Sequence, residues 1–266
     1  MIQNAKALIA KRRSVRTFSS KELSEDVLAS IGECVKGVTN PFGVDVEFRL
    51  LDAKKYGLSS PVIVGEKWYL AAKTKKGNEL AYGYSFEYAC LYALSLDVGS
   101  VMLGSSLSRS AFEKAMEVKD GEAMFVATPL GYIAEKMSIR ETLMRKGVKA
   151  DERYAFEKLF FEKDFDTPYK KDGEFQEAFE ALRLAPSAVN KQPWRCVVDG
   201  DKVHFFEAKT LKAGALGDLQ KVDMGIALCH FDLVMKESGV SGKFEQADPN
   251  LSLADSLEYI ITYTKQ

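Results

Sequence analysis

Apolar residues recur at helical spacing over residues 1–13 and again over 24–36 (SEDVLASIGECVK), where Ser24 is placed to cap the first turn. The spacing then changes to that of strands at 46–52 (VEFRLLD), 61–65 (PVIVG) and 67–74 (KWYLAAKT). The longest helical run, 78–97 (NELAYGYSFEYACLYALSLD), is apolar on every side, which predicts a central buried helix handing over at Val98-Gly99 to a strand in SVMLG. A short helix over 108–116 with Ser108 as cap and a strand over 123–132 (AMFVATPLGY) follow. The charged stretch 138–164 carries no second strand pattern and reads as a surface connector.

Beyond it the order restarts: helix 172–185, strands 194–199 and 202–207, helix 220–238 and strand 257–264. Both long helices hold a cysteine inside an apolar run, at Cys90 and Cys229. The halves share order rather than residues, and a duplicated α+β unit is the simplest account. It divides the chain into a first half at 1–146, a connector at 147–171 and a second half at 172–266.

Composition narrows the function classes. Lys plus Arg number 37 against 38 Asp plus Glu, so no global field is available to hold a nucleic acid or an anionic membrane, and any anion site must be local. The first residues carry a short amphipathic run before a basic cluster, the reverse of a secretory signal, so a cytoplasmic protein without a membrane partner is expected. Cys34, Cys90, Cys196 and Cys229 are too scattered for a disulfide framework or a zinc cluster, and no metal is expected.

Two stretches carry more polar chemistry than a fold requires. Lys11-Arg12-Arg13-Ser14-Val15-Arg16 presents guanidinium forks and a hydroxyl suited to phosphate oxygens; a solvated basic turn at a helix C-terminus is the alternative. LRLAPSAVNKQPWRCVV (182–198) ends a helix at Pro186 and then places Ser187, Asn190 and Gln192 on one connection, a donor and acceptor mix that fits a ribityl chain or heteroaromatic edge as well as it fits a self-capping turn. Gly104, between a strand and a helix, could expose backbone N–H groups, and the segment with Gly131 and Arg140 could bring a second cation; a plain turn and an exposed loop are the alternatives. No G-x-x-x-x-G-K-[ST] or G-x-G-x-x-G is present, and His204 and His230 read as packed side chains.

Together these motifs resemble the FMN-dependent nitroreductase family. Arg12-Arg13-Ser14-Val15-Arg16-Thr17-Phe18 matches its R-R-S-x-R-x-[FY], Ala185 through Trp194 its A-P-S-x-x-N-x-Q-P-W, and Asp223-Met224-Gly225-Ile226-Ala227 its D-x-G-x-A. The resemblance implies a three-layer α/β/α fold. The two flavin-binding motifs lie far apart in the chain, which is similar to a branch with two family-like halves fused as a pseudo-dimer. The first half has Val38-Thr39-Asn40-Pro41-Phe42-Gly43 in place of A-P-S-x-x-N, and the second has Asp166-Thr167-Pro168-Tyr169-Lys170-Lys171 in place of R-R-S.

One FMN per chain is therefore expected, between Arg12, Arg13, Ser14 and Arg16 and Pro186, Ser187, Ala188, Asn190 and Gln192, with Gly104, Gly131 and Arg140 nearby. Arg12 and Arg13 are expected at the phosphate and Arg16 at the ring or ribityl chain. The resemblance implies NAD(P)H as donor and a nitroaromatic, quinone or similar small molecule as acceptor, in ping-pong order, with no catalytic side chain beyond the flavin. A flavin-handling protein with little reductase activity is the alternative. Residues 56–60 and 208–219 are predicted pocket rims.

Overall fold

The computed structural model describes residues 2–215 and 217–266; Met1, in the first predicted helix, and Leu216, in the predicted rim, lie outside the described residues. In the first half the elements are α1 (Ala5–Lys11), α2 (Glu25–Lys36), β1 (Glu47–Asp52), α3 (Ala53–Tyr56), β2 (Trp68–Lys75), α4 (Glu79–Ser95), β3 (Val98–Gly99), α5 (Arg109–Ala115), β4 (Glu122–Ala123) and β5 (Ala127–Tyr132). Then come α6 (Ile139–Gly147), β6 (Phe160–Glu162), α7 (Gln176–Arg183), β7 (Trp194–Asp199), β8 (Lys202–Ala208), α8 (Leu219–Glu237), β9 (Gly242–Glu245) and β10 (Leu257–Lys265). Ser24 does cap α2, its side chain accepting from the Val27 N–H at 3.3 Å, while Glu25 and Asp26 in the first turn and Lys36 in the last suit the helix dipole.

Two five-stranded sheets flank the helices. The first runs β1-β2-β5-β3, with β4 paired to β2, and the second runs β6-β7-β8-β10-β9. Apart from β6, the path β7-β8-β10-β9 retraces β1-β2-β5-β3 element for element, all antiparallel. On the first sheet Leu70, Val98 and Leu130 meet Ile31 and Val35 of α2 and Ala89 and Ala93 of α4, whereas Tyr69 and Ala71 join Val15, Phe18 and Phe112 in a separate cluster. Burial on both faces explains why β2 reads as a continuous apolar run. On the second sheet Phe205 and Tyr263 pack edge-on against Phe231 of α8.

Between the sheets α4 and α8 lie against each other, and neither keeps a polar face because both are buried along most of their length. Two glycines permit the close approach. A Cβ at Gly83 would overlap the Val222 carbonyl oxygen, and a Cβ at Gly225 would overlap the Leu80 carbonyl oxygen. Each glycine thus contacts the residue three before its counterpart, the reciprocal pattern of a two-fold interface.

Several boundaries differ from the sequence expectation. The 61–65 run makes only one bridge, Thr17 to Val64, since Pro61 has no N–H and Gly65 at φ +86° leaves the strand conformation beside the Phe18 carbonyl. SVMLG contributes single bridges at Ser100 and Leu103. The 123–132 run breaks between β4 and β5 because the Met124 and Phe125 carbonyls accept from Arg109 and the Val126 carbonyl from the Tyr82 hydroxyl. The predicted connector holds both α6 and β6, and β6 pairs parallel to β7 through Phe160 and Cys196. β6 and β9 are too short to display a period, which is why the sequence hid them.

Gly83→Ala and Gly225→Ala should each destabilise the protein by about 3 kcal/mol, since the added methyl forces the helix pair apart. Urea unfolding checks this; an unchanged midpoint in either variant would contradict the close approach.

Candidate functional site

The chain leaves α1 in extended conformation at Arg12 (φ −62°, ψ 129°), and the next residues are held at both edges. The Val15 N–H donates to the Ser100 carbonyl at 2.9 Å, and the Val64 N–H to the Arg16 carbonyl at 2.9 Å. Val15 is buried as an anchor, so the arginines on either side of it have fixed starting points. Arg12 turns inward, its Nε 3.3 Å from Glu87 Oε1 on α4. Arg13 turns the other way, to Glu141 Oε1 at 3.4 Å.

Glu141 belongs to α6 and is buried. Ser138 caps that helix by accepting from the Glu141 N–H at 3.1 Å, and Thr17 completes the junction, donating to Glu141 Oε2 at 2.7 Å and accepting from the Ser138 N–H at 3.1 Å. One helical turn on from Glu141, on the same face, stands Arg145, whose Nη1 reaches the Ser14 carbonyl at 3.5 Å and whose Nη2 pairs with Asp151. Arg140 faces elsewhere, donates to the Pro61 carbonyl and is exposed. The second cation beside the Arg-Arg-Ser segment is thus Arg145 rather than Arg140, a choice that helical phase relative to the capping Ser138 and Glu141 could have made from sequence.

The 186–192 loop is conformationally strained: Val189, Asn190 and Gln192 have φ of 44°, 58° and 49°, the first unusual for a β-branched residue. Polar side chains hold it there. Ser187 Oγ accepts from the Gln192 N–H at 2.8 Å, and Asp223 Oδ2 on α8 accepts from the Ala188 N–H at 2.9 Å. Asn190 Nδ2 donates to the Lys149 and Glu152 carbonyls, while Gln192 Oε1 accepts from the Tyr154 N–H and its Nε2 donates to the Asn190 carbonyl. Gln192, expected to contact a ligand, is buried with both ends of its amide engaged by backbone. It serves the loop.

Among the described residues no hydrogen bond joins the Arg-Arg-Ser segment directly to this loop; residues 145–154 bridge them. Besides Arg145 and Asn190's two acceptors, this bridge contains Arg153, whose Nη2 donates to the Leu184 carbonyl at 3.2 Å. Arg16 and Arg153 each bury an Nε that has no partner. Burial pushes the Arg16 guanidinium below its usual value; Glu141 opposes this, and Arg145 and Arg12 add to it. Burial does the same to Arg153, reinforced by Arg12, Arg183 and Arg145 and opposed by Asp151. Like charges gathered with unused buried donors are chemistry that suits an anion.

The predicted glycines lie at the margin. The Gly104 carbonyl accepts from Arg109 Nη2 at 2.6 Å, and a Cβ there would stand 3.5 Å from Leu219 at the start of α8. Gly131 is buried under Phe18, where its lack of a side chain serves packing. Behind the 186–192 loop are two buried acids, Asp223 of the D-x-G-x-A match and Glu207, which the sequence reading did not single out. Glu207, on β8 opposite Trp194, has neither carboxylate oxygen partnered, and Trp194 Nε1 is also unpartnered. Burial, with Asp218 and Glu258 adding to it, raises the Glu207 carboxyl to about 7. Asp223 is raised well above the carboxylate range by burial, against the Ala188 N–H bond and with help from Glu207 and Asp218.

A family profile described as "Putative TM nitroreductase" matches residues 4–235. The crystal structure of a "putative nitroreductase" from Thermotoga maritima superposes with a TM-score of 0.61 at 17% identity, covering 99% of this chain and 93% of that one. An FMN-dependent nitroreductase from Clostridium difficile (16% identity, TM-score 0.41) covers 52% of this chain and 94% of its own. A nitroreductase with bound FMN from Bacteroides fragilis (15%, 0.41) covers 52% and 92%. No curated protein matches the chain in sequence. Among the described residues, no helix is long and apolar enough to cross a membrane.

Because the folded protein resists ionising Glu207, its stability should fall as pH rises from about 4.5 towards 7. Glu207→Gln, which cannot ionise, should melt above wild type at pH 8 and level with it at pH 4.5. Equal melting temperatures at pH 8 would mean that Glu207 ionises without penalty.

Proposed function

The chain belongs to the nitroreductase family, a family of oxidoreductases, and on that premise we propose that it is an NAD(P)H-dependent flavin oxidoreductase holding one FMN between the Arg-Arg-Ser segment and the 186–192 loop. The observation that carries the reading is the buried, partnerless Nε of Arg16 among Arg12 and Arg145, a cluster of cations on a chain of net charge −1. A phosphate monoester is the anion whose charge and oxygen geometry such guanidinium forks match.

When bound, the flavin would supply the redox chemistry, taking hydride from the nicotinamide and passing it to a nitroaromatic, quinone or similar acceptor. The chain's own part is binding and orientation. Arg16, expected at the ring or ribityl chain, is assigned with Arg145 to the phosphate, Arg12 is kept beside it as expected with Arg153 adding positive potential, and Arg13, also expected there, stays at the rim on Glu141. The Ser187 hydroxyl hydrogen and Asn190 Oδ1 remain as groups for the ribityl chain or ring edge, since Asn190 Nδ2 and both ends of Gln192 hold the loop. Asp223 keeps the loop in its strained form through the Ala188 N–H.

The asymmetry of two duplicated halves accounts for a single site. Supporting the duplication are the shared strand path, the reciprocal glycines, and a common turn: the Gly43 N–H donates to the Asn40 carbonyl as the Asn190 N–H does to the Ser187 carbonyl, with Gly43 at φ 64° and Asn190 at 58°. In the first-half turn Asn40 folds its side chain onto the Val44 carbonyl, and Phe42 packs against Tyr84 and Phe244. Aromatic packing there stands where a second cofactor would need room.

The purified protein should take up FMN at one equivalent per chain and bleach on anaerobic addition of NADH or NADPH. Arg16→Ala should weaken FMN binding by tenfold or more, about 1.4 kcal/mol, at an unchanged circular dichroism spectrum. Flavin that binds but does not bleach would favour a flavin-handling protein, and unaltered affinity in Arg16→Ala would remove Arg16 from the phosphate site.

A further inference from the structure

Resting on the anion site just proposed, we propose that His230 and Glu87 act as positioning residues that clamp Arg12 by its Nε and leave its two terminal nitrogens directed to the anion. The chain of contacts joins three helices and the segment after α1, its last link an ion pair. His230 Nδ1 on α8 lies 2.9 Å from the Ala181 carbonyl of α7, His230 Nε2 lies 2.8 Å from Glu87 Oε1 of α4, and the same oxygen meets Arg12 Nε at 3.3 Å. Glu87 and His230 are wholly buried and the Arg12 side chain is 9% exposed.

The proton inventory is fixed by the partners. A carbonyl oxygen only accepts, so His230 Nδ1 donates to Ala181; the Nε2–Oε1 contact also needs a proton between its two atoms. The ring orientation is determined as well, because a flipped ring would set carbon atoms against both oxygens. Arg12 engages only its Nε in this network. Among the described residues, no hydrogen bond is made by its Nη1 or Nη2, and its charge is felt at both Arg16 and Arg153. A guanidinium held at one nitrogen loses little further freedom when an anion engages the other two.

The arrangement is one-sided, which sets it apart from helix packing. Glu87 stands four residues after Gly83, and four residues after Gly225 is Cys229; His230 stands five after Gly225, and five after Gly83 is Tyr88. The two-fold relation of α4 and α8 therefore does not repeat the pair. Its mirrored region instead holds the Tyr84 hydroxyl on Asp232, with Lys236 at 2.7 Å from the same carboxylate. A buried acid and imidazole kept on only the side that carries the Arg-Arg-Ser segment serve that segment.

The test compares wild type, His230→Gln, Arg12→Gln and the double variant. In wild type the Arg12 Nε–H should be protected from solvent exchange by NMR, and in His230→Gln it should exchange about tenfold faster. FMN affinity should fall about tenfold, the lower end of what outer-shell partners of metal ligands contribute. In the Arg12→Gln background His230→Gln should have no further effect on affinity, since it acts through Arg12. Glu87→Gln, of equal shape, replaces His230→Gln should the latter not fold, with the same losses expected. Unchanged Nε–H exchange, or additive effects on affinity, would overturn the clamp. Wild type that binds no FMN would defeat the flavin reading alone, because the Nε–H exchange still reports the clamp.

Discussion

Everything in this molecule is built around the contact of α4 with α8, and that contact rests on two positions where no side chain is admitted. With Gly83 and Gly225 each against a carbonyl oxygen of the facing helix, the two backbones approach closely enough for a sheet to close over either side. The same proximity lets Glu87 on one helix reach His230 on the other, and through Glu87 the segment after α1 is tied to the centre of the fold. Rigid helices thus position chemistry that is displayed by loops.

Around that centre the protein carries two conditions unfavourable in isolation. Arginines are crowded with buried, unused donors, and a loop holds non-glycine residues at left-handed φ. Both persist because neighbours over-determine them: Thr17, Ser138 and Glu141 fix α6 and hence Arg145, while Asp223, Gln192 and the carbonyls of Lys149 and Glu152 fix the loop. The proposed anion would relieve the first, and its binding would draw on the pre-set geometry of the second.

Much of this was legible in the residues. Helical spacing over 24–36 and long apolar runs over 78–97 and 220–238 located the helices that matter most, and the Arg12–Phe18 and Ala185–Trp194 motifs marked the segments that the 145–154 bridge links. The weaker readings failed for local reasons. Proline and glycine at 61–65 removed a strand that its apolar content suggested, and Arg109 and Tyr82 drew carbonyls out of the 123–132 run. Arg140 was expected to bring the second cation, but helical phase from the cap at Ser138 turns it away and brings Arg145 instead.

By itself, then, the sequence determined the order of the main helices and strands, the burial of the 78–97 helix and the residue types of a candidate anion site, because hydrophobic patterning and local turn chemistry act over a few neighbours. Tertiary structure alone decided which polar atoms are consumed by the fold and which are left over. Gln192 and His230 illustrate this: one reads as a ligand group and is engaged by backbone, the other reads as a packed side chain and joins Ala181, Glu87 and Arg12 across residues far apart in the chain. The physical reason is that hydrogen-bond satisfaction is settled by whatever the fold brings within 3 Å or so, and no spacing along the chain encodes that.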